Sequence, residues 1–178
     1  MLHFFVGENE YGIGVIMMTQ KVASAMIRYF EGDMRRIQHF LKVFAYARLI
    51  GMAENLDSDT QNILDIATLT HDIGIKNSEM KYNDCSGYHQ QIEGPPEAHN
   101  MLESLGLSLK EIDRVCFVIA HHHTYTEVED EALQILLEAD FLVNAQEDQL
   151  AAQAIRSFRD KVFRTPSGVS LLNTLFEL

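Results

Sequence analysis

Residues 109–125, "LKEIDRVCFVIAHHHTY", carry apolar side chains at helical spacing and end in three consecutive histidines. Advancing about 100° per residue along a helix, Ile112, Val115, Val118 and Ile119 form one inward stripe. On that wheel His122 falls beside Val115 and Val118, and His123 beside Ile119 and Cys116, whereas His121 lies nearly opposite, with Arg114. The stretch thus predicts a helix that delivers two imidazoles to a core. Ser108 followed by Glu111 has the form of a capping box for its start. A single inward histidine is more commonly a hydrogen-bonded core residue than a ligand; two in succession weigh toward chemistry.

The same period recurs in both directions from this stretch. Helices are expected at about 19–30, 34–50, 59–72, 95–105, 109–123, 131–146, 149–163 and 167–176, and no run alternates as a half-buried strand does. The fold class is therefore all-α, a compact multi-helix bundle. Asp33 and Ser58 are expected as caps. Pro95 and Pro96 suit a first helical turn, which places a helix start just after Gly94. Residues 74–93, "GIKNSEMKYNDCSGYHQQIE", have weak pattern and read as a lid or substrate loop, since connections this long are usually functional.

Composition narrows the function classes. The 178 residues are 47% hydrophobic and 22% charged, enough for one sizeable core and a single domain over 18–178. A net charge of −12 argues against nucleic acid held by phosphate neutralisation. No stretch approaches the roughly 18 apolar residues of a membrane span. Cys85 and Cys116 match no zinc or redox spacing and read as free thiols of a reducing cytoplasm. Residues 1–17, "MLHFFVGENEYGIGVIM", lack helical period and a signal peptide's basic start. They are expected to be a non-native or disordered extension, with the natural start at Met17 or Met18. A purine-rich AGGAGT tract, like a bacterial ribosome-binding site, can be encoded across Ile13-Gly14-Val15. The amphipathic stretch before Pro166 reads as a packing helix with a solvated face.

Three further features carry chemistry. In "THDIG", 70–74, His71 shares a helix face with Leu64 and Ala67, and Asp72 follows at the last turn. A carboxylate there opposes the helix dipole unless a cation lies nearby. In "LQILLEADFLVN", 133–144, Asp140 extends an apolar face and needs a partner, either an arginine such as Arg48 or a metal. In "RRIQHFLKVFAYARLIG", 35–51, His39 shares a stripe with Val43, Tyr46 and Ile50. Together these supply imidazoles and carboxylates from separate helices, a ligand set for iron, manganese, zinc or magnesium.

The ordered set His39, His71-Asp72, His122 or His123, and Asp140 resembles the HD superfamily of metal-dependent phosphohydrolases over roughly residues 20–145. The resemblance implies an HD-type helical bundle with one divalent metal on His39, His71, Asp72 and Asp140. Aligning "EGPPEAHNML" with the helix that carries a further histidine in two-metal members puts Glu93 at that position and leaves His99 a bystander. A second metal would then use Glu93, His122 and His123. The lysine that often follows "HDIG" is displaced by Ile75, so Lys76, with Lys81 as backup, is expected to reach a substrate phosphate. Asp72 is expected to orient or deprotonate water, and the substrate to be a small phosphoester or nucleotide. A "GYP" motif is missing, which argues against cyclic di-GMP hydrolysis. A regulatory metal- or nucleotide-binding module and a di-iron oxygenase of the same fold are the alternatives, and a homodimer is compatible with the chain.

Overall fold

The computed structural model describes residues 7–178. Among them the chain forms nine helices and no strand: α1 (Gly7–Tyr29), α2 (Met34–Ala53), α3 (Ser58–Thr70), α4 (Ile75–Tyr82), α5 (Gly87–Ser104), α6 (Leu109–His121), α7 (Glu131–Glu147), α8 (Ala152–Val162) and α9 (Pro166–Phe176). The all-α bundle expected from periodicity is thus observed. Part of the expectation for 1–17 concerns residues 1–6, outside the described residues; from Gly7 the chain runs in α1. No helix among the described residues is long and apolar enough to cross a membrane.

Two helices set the centre. In α3 every residue from Asn62 to Thr70 is buried, and α7 is buried on nearly all sides from Ala132 to Ala145. These are the segments with the densest runs of Ile, Leu, Ala and Val. Helix α3 packs against α1, α2, α6 and α7, and α2 also lies along α7. The ends of α3 and α6 and the middle of α7 consequently meet beside α2. Side-chain caps fix where the helices begin. Asp33 accepts from Arg36 N (3.1 Å), Asp130 from Leu133 N (3.0 Å), and Ser108 with Glu111 closes the expected capping box. At α3 the cap is Asp57 rather than Ser58, accepting from the Asp59 and Thr60 amides at 3.0 Å each.

The segment 74–93 departs from expectation. It is not a lid loop: α4 occupies its first part, and α5 begins at Gly87, with Pro95 and Pro96 inside the helix. The weak pattern reflects polar, half-exposed helices rather than irregular chain. The prolines remove two amide donors from α5, a cost of about 3 kcal/mol or more in an isolated helix. Packing overrides that cost. A Cβ on Gly74 would lie 2.6 Å from Gly94 N and 2.8 Å from Gln90 O, so α5 rests directly on the α3–α4 turn. On its other side Gly94 leaves room for Ile119 of α6, 2.7 Å from where its Cβ would stand.

Because the atoms facing Gly74 are backbone, they cannot step aside as a side chain would. Gly74→Ala is expected to destabilise the fold by about 1–3 kcal/mol, read as a lower urea midpoint; an unchanged midpoint would mean that α5 retreats freely.

Candidate metal centre

Four helices bring their chemistry-bearing residues to one point. His39 comes from the second turn of α2, His71 and Asp72 from the turn that ends α3, His122 from the end of α6, and Asp140 from α7. His39 Nε2 lies 3.1 Å from Asp140 Oδ1 and 3.6 Å from Asp72 Oδ2. His71 Nε2 lies 3.5 Å from Asp72 Oδ2 and 3.6 Å from Asp140 Oδ1. His122 Nε2 stands 3.8 Å from Asp72 Oδ1. His39, His71 and Asp72 each present one ligand atom within 4.8 Å of the others, a candidate metal site.

The ring orientations follow from what holds the opposite nitrogen. His71 Nδ1–H donates to Thr68 O (2.8 Å) and His122 Nδ1–H to Ile119 O (2.6 Å), each a carbonyl three residues back. Both rings therefore turn Nε2 inward, and both Nε2 atoms are buried without a hydrogen-bond partner. A buried polar atom left unpaired costs about 1–3 kcal/mol. Two converging imidazole nitrogens beside two carboxylates are the donor set a divalent cation requires, so the residues present fit a metal.

Charge in the cluster is balanced internally. Burial pushes the His71 imidazole down, but Asp72 and Asp140 outweigh it and hold its pKa up at about 9. His39 is likewise raised, burial being outweighed by Asp140 and Asp72. Burial would raise the Asp140 carboxyl, yet contacts with His39 and His71 hold it well below the usual carboxylate range. His122 is pushed down to about 4 by burial, with His123 and His71 adding repulsion. It is therefore neutral at pH 7, with its lone pair free to bind.

A cavity of about 570 Å³ opens over this cluster. His123 lines it, half-buried, with its ring 4.0 Å from His122 and its Nε2 3.4 Å from Gln90 Oε1. His121 turns outward, its ring against Phe117 and its Nδ1 bonded to Phe117 O. Three expected residues are not brought to the cavity. Glu93 is buried but faces away, accepting from Lys81 Nζ (2.5 Å) and Tyr82 OH (2.8 Å). Lys81 is committed to that pair, and Lys76 donates to Tyr29 O and lies over the Tyr29 ring. Burying the Glu93 carboxylate demands a cation, and Lys81 at the end of α4 supplies it across the α4–α5 contact, which keeps both groups out of the site. Arg48, the alternative partner for Asp140, pairs instead with buried Asp65.

Other residues stand where those were expected. Gln90, on the same helix as Glu93, contacts His123 and donates to Cys85 O (2.7 Å). Arg35 and Arg36 are the cations lining the cavity; Arg36 pairs with Asp33 and Glu79. Glu147 closes the far side, 3.2 Å from His39 Nδ1. Its spacing of seven residues from Asp140 was a readable signal, because i and i+7 share a helix face.

The family model described as HD domain matches residues 36–155. A crystal structure of a predicted HD superfamily hydrolase from an uncultured Thermotogales bacterium superposes with a TM-score of 0.64. It is 24% identical, and the match covers 89% of this chain and 84% of that one. No curated protein sequence matches the chain.

The orphaned nitrogen of His122 generates an expectation. His122→Leu loses the bond to Ile119 O but also removes an unpaired buried atom, so the chelator-treated protein should keep its stability within about 1 kcal/mol. The same variant should bind Mn²⁺ more weakly in a titration. A loss of several kcal/mol without metal would mark His122 as a core residue alone.

Proposed function

The chain belongs to the HD-domain family, and on that premise we propose that it is a metal-dependent phosphohydrolase acting on a small phosphoester or nucleotide. The observation that carries the reading is the convergence of the His39, His71 and His122 Nε2 atoms on Asp72 and Asp140 at the floor of an open cavity. His39, His71, Asp72 and Asp140 would hold a divalent ion, with His122 beside them. Such an ion supplies Lewis acidity toward phosphoryl oxygen and activation of water.

The chain's own residues supply the rest. Asp72 Oδ2 faces His39 and His71, while Oδ1, 3.8 Å from His122 Nε2, would orient the attacking water and take its proton. Arg35 replaces the expected lysines as the cation for the substrate phosphate, since Lys76 and Lys81 are engaged elsewhere and Arg36 is paired with Asp33 and Glu79. A planar guanidinium meets phosphate oxygens in a two-pronged fashion. His123, tied to Gln90, lines the wall where a leaving group would sit. With Glu93 turned to Lys81 and Tyr82, the geometry favours one metal over two.

Metal analysis of the purified protein should find about one ion per chain, and two per chain would overturn the single-metal reading. A phosphoester panel with Mn²⁺, Fe²⁺ and Mg²⁺ should show phosphate release that falls roughly 100-fold or more in His71→Ala, Asp72→Ala. That double variant should also lose its metal; retained metal would sink the site assignment. Metal-loaded protein that releases no phosphate from any compound would sink the activity.

Arg35 makes a separate claim. Arg35→Ala should raise KM by roughly 10-fold while metal content stays unchanged, and an unaltered KM would remove the guanidinium from substrate binding.

A further inference from the structure

The three imidazoles of the cluster are not held alike. His71 and His122 are fixed by carbonyls of their own helices, whereas the Nδ1 of His39 faces the carboxylate of Glu147, on a different helix, at 3.2 Å. Glu147 lies two turns beyond Asp140 on α7, so the two carboxylates flank the His39 ring from its opposite edges, Asp140 Oδ1 standing 3.1 Å from Nε2. The other oxygen of Glu147 is taken by Lys42 Nζ, one turn after His39 on α2.

We propose that Glu147, steadied by Lys42, is a positioning residue that keeps the proton of His39 on Nδ1 and so frees Nε2 to bind the metal. The inference rests on the reading of this cluster as a metal centre. A neutral imidazole carries one proton, and two carboxylates compete for it. Without Glu147 that proton would sit on Nε2, donated to Asp140, and the lone pair would point away from the ion's place. With Glu147 the opposite tautomer is favoured, and a carboxylate acceptor also raises the basicity of the ligating nitrogen. Lys42 has a second effect. Glu147 lines the cavity, and a free carboxylate there could swing in as a competing ligand; the ammonium holds it back.

The test is Mn²⁺ affinity, read from the free-ion electron paramagnetic resonance signal during titration, with thermal melting of chelator-treated protein as the folding control. Glu147→Ala should weaken Mn²⁺ binding 10- to 100-fold while remaining folded. Glu147→Gln should recover most of that loss, because the amide oxygen still accepts from Nδ1–H. In the diamagnetic Zn²⁺ complex, nitrogen spectra of the His39 ring should report the Nδ1–H form in wild type and Glu147→Gln. Unchanged affinity in Glu147→Ala, or Glu147→Gln as weak as Glu147→Ala, overturns the positioning role. A Glu147→Ala chain too unstable to assay leaves the decision to Glu147→Gln and the ring spectra: His39 protonated on Nε2 in the wild-type Zn²⁺ complex overturns it. Failure of wild type to bind Mn²⁺ or Zn²⁺ would instead overturn the metal-centre reading beneath it.

Discussion

A carboxylate buried in the middle of a helix that is itself buried on nearly all sides constrains everything around it. Asp140 lies on α7 among Leu136, Leu137 and Val143, nearly inaccessible to water, where an unpaired charge would cost several kcal/mol. Its partners cannot come from its own helix, so α2 must present His39 and the end of α3 must present His71. That requirement fixes how three helices meet. Asp72 adds a second negative charge at the same point, and α6 arrives with a nitrogen that finds no partner at all. The cluster is over-supplied with ligand atoms for a structural network and suitably supplied for a cation.

Comparison with the other buried acids sharpens the distinction. Glu138, two residues from Asp140 and fully buried, accepts from Gln134 Nε2, the Arg164 and Thr165 amides and the Thr165 hydroxyl. Those donors are neutral, one from the same helix and the rest from the turn before α9, and they tie the start of α9 to α7. Asp65 is met by Arg48 and Gln61. Both acids are saturated, and neither borders the cavity over the histidines. Asp140 and Asp72 instead line the cavity together with His39, beside the unpaired Nε2 atoms of His71 and His122. Saturation marks an acid that builds the fold, and incomplete saturation marks one kept ready for a ligand.

How much of this was legible in the sequence depended on the kind of signal. Periodicity put His122 inward and His121 outward, because one helix face is decided by burial within a single segment. His39, His71 and Asp140 were legible for the same reason, each being a polar residue on an otherwise apolar stripe. Glu93 was misplaced because its alignment with a family histidine ignored its neighbours. Lys81 and Tyr82 lie about eleven residues earlier, and only the folding of α4 against α5 brings them to its carboxylate. Pro95 and Pro96 suggested a helix start because local preference was counted without the Gly74–Gly94 contact, which is tertiary. Arg35 and Arg36 carried no periodic signal, since exposed arginines at a helix start are common; what distinguishes them is the cavity they border.

The acidity of the chain then takes on a physical meaning. Asp33, Asp72, Asp140, Glu147 and Asp148 border the cavity against only Arg35 and Arg36 among the cations. A doubly charged phosphate ester entering such a space would be repelled, and two guanidinium groups at the rim would offset only part of that field. The same carboxylates, however, would concentrate divalent cations from solution, and a bound ion would offset much of the negative field where it sits. For the phosphoester substrate proposed above, affinity would then be conditional on metal occupancy, because a bound ion would offset the negative field that a phosphate meets. The orphaned imidazole nitrogens and the surplus of carboxylates are two expressions of one arrangement, a cluster whose donor set suits a cation.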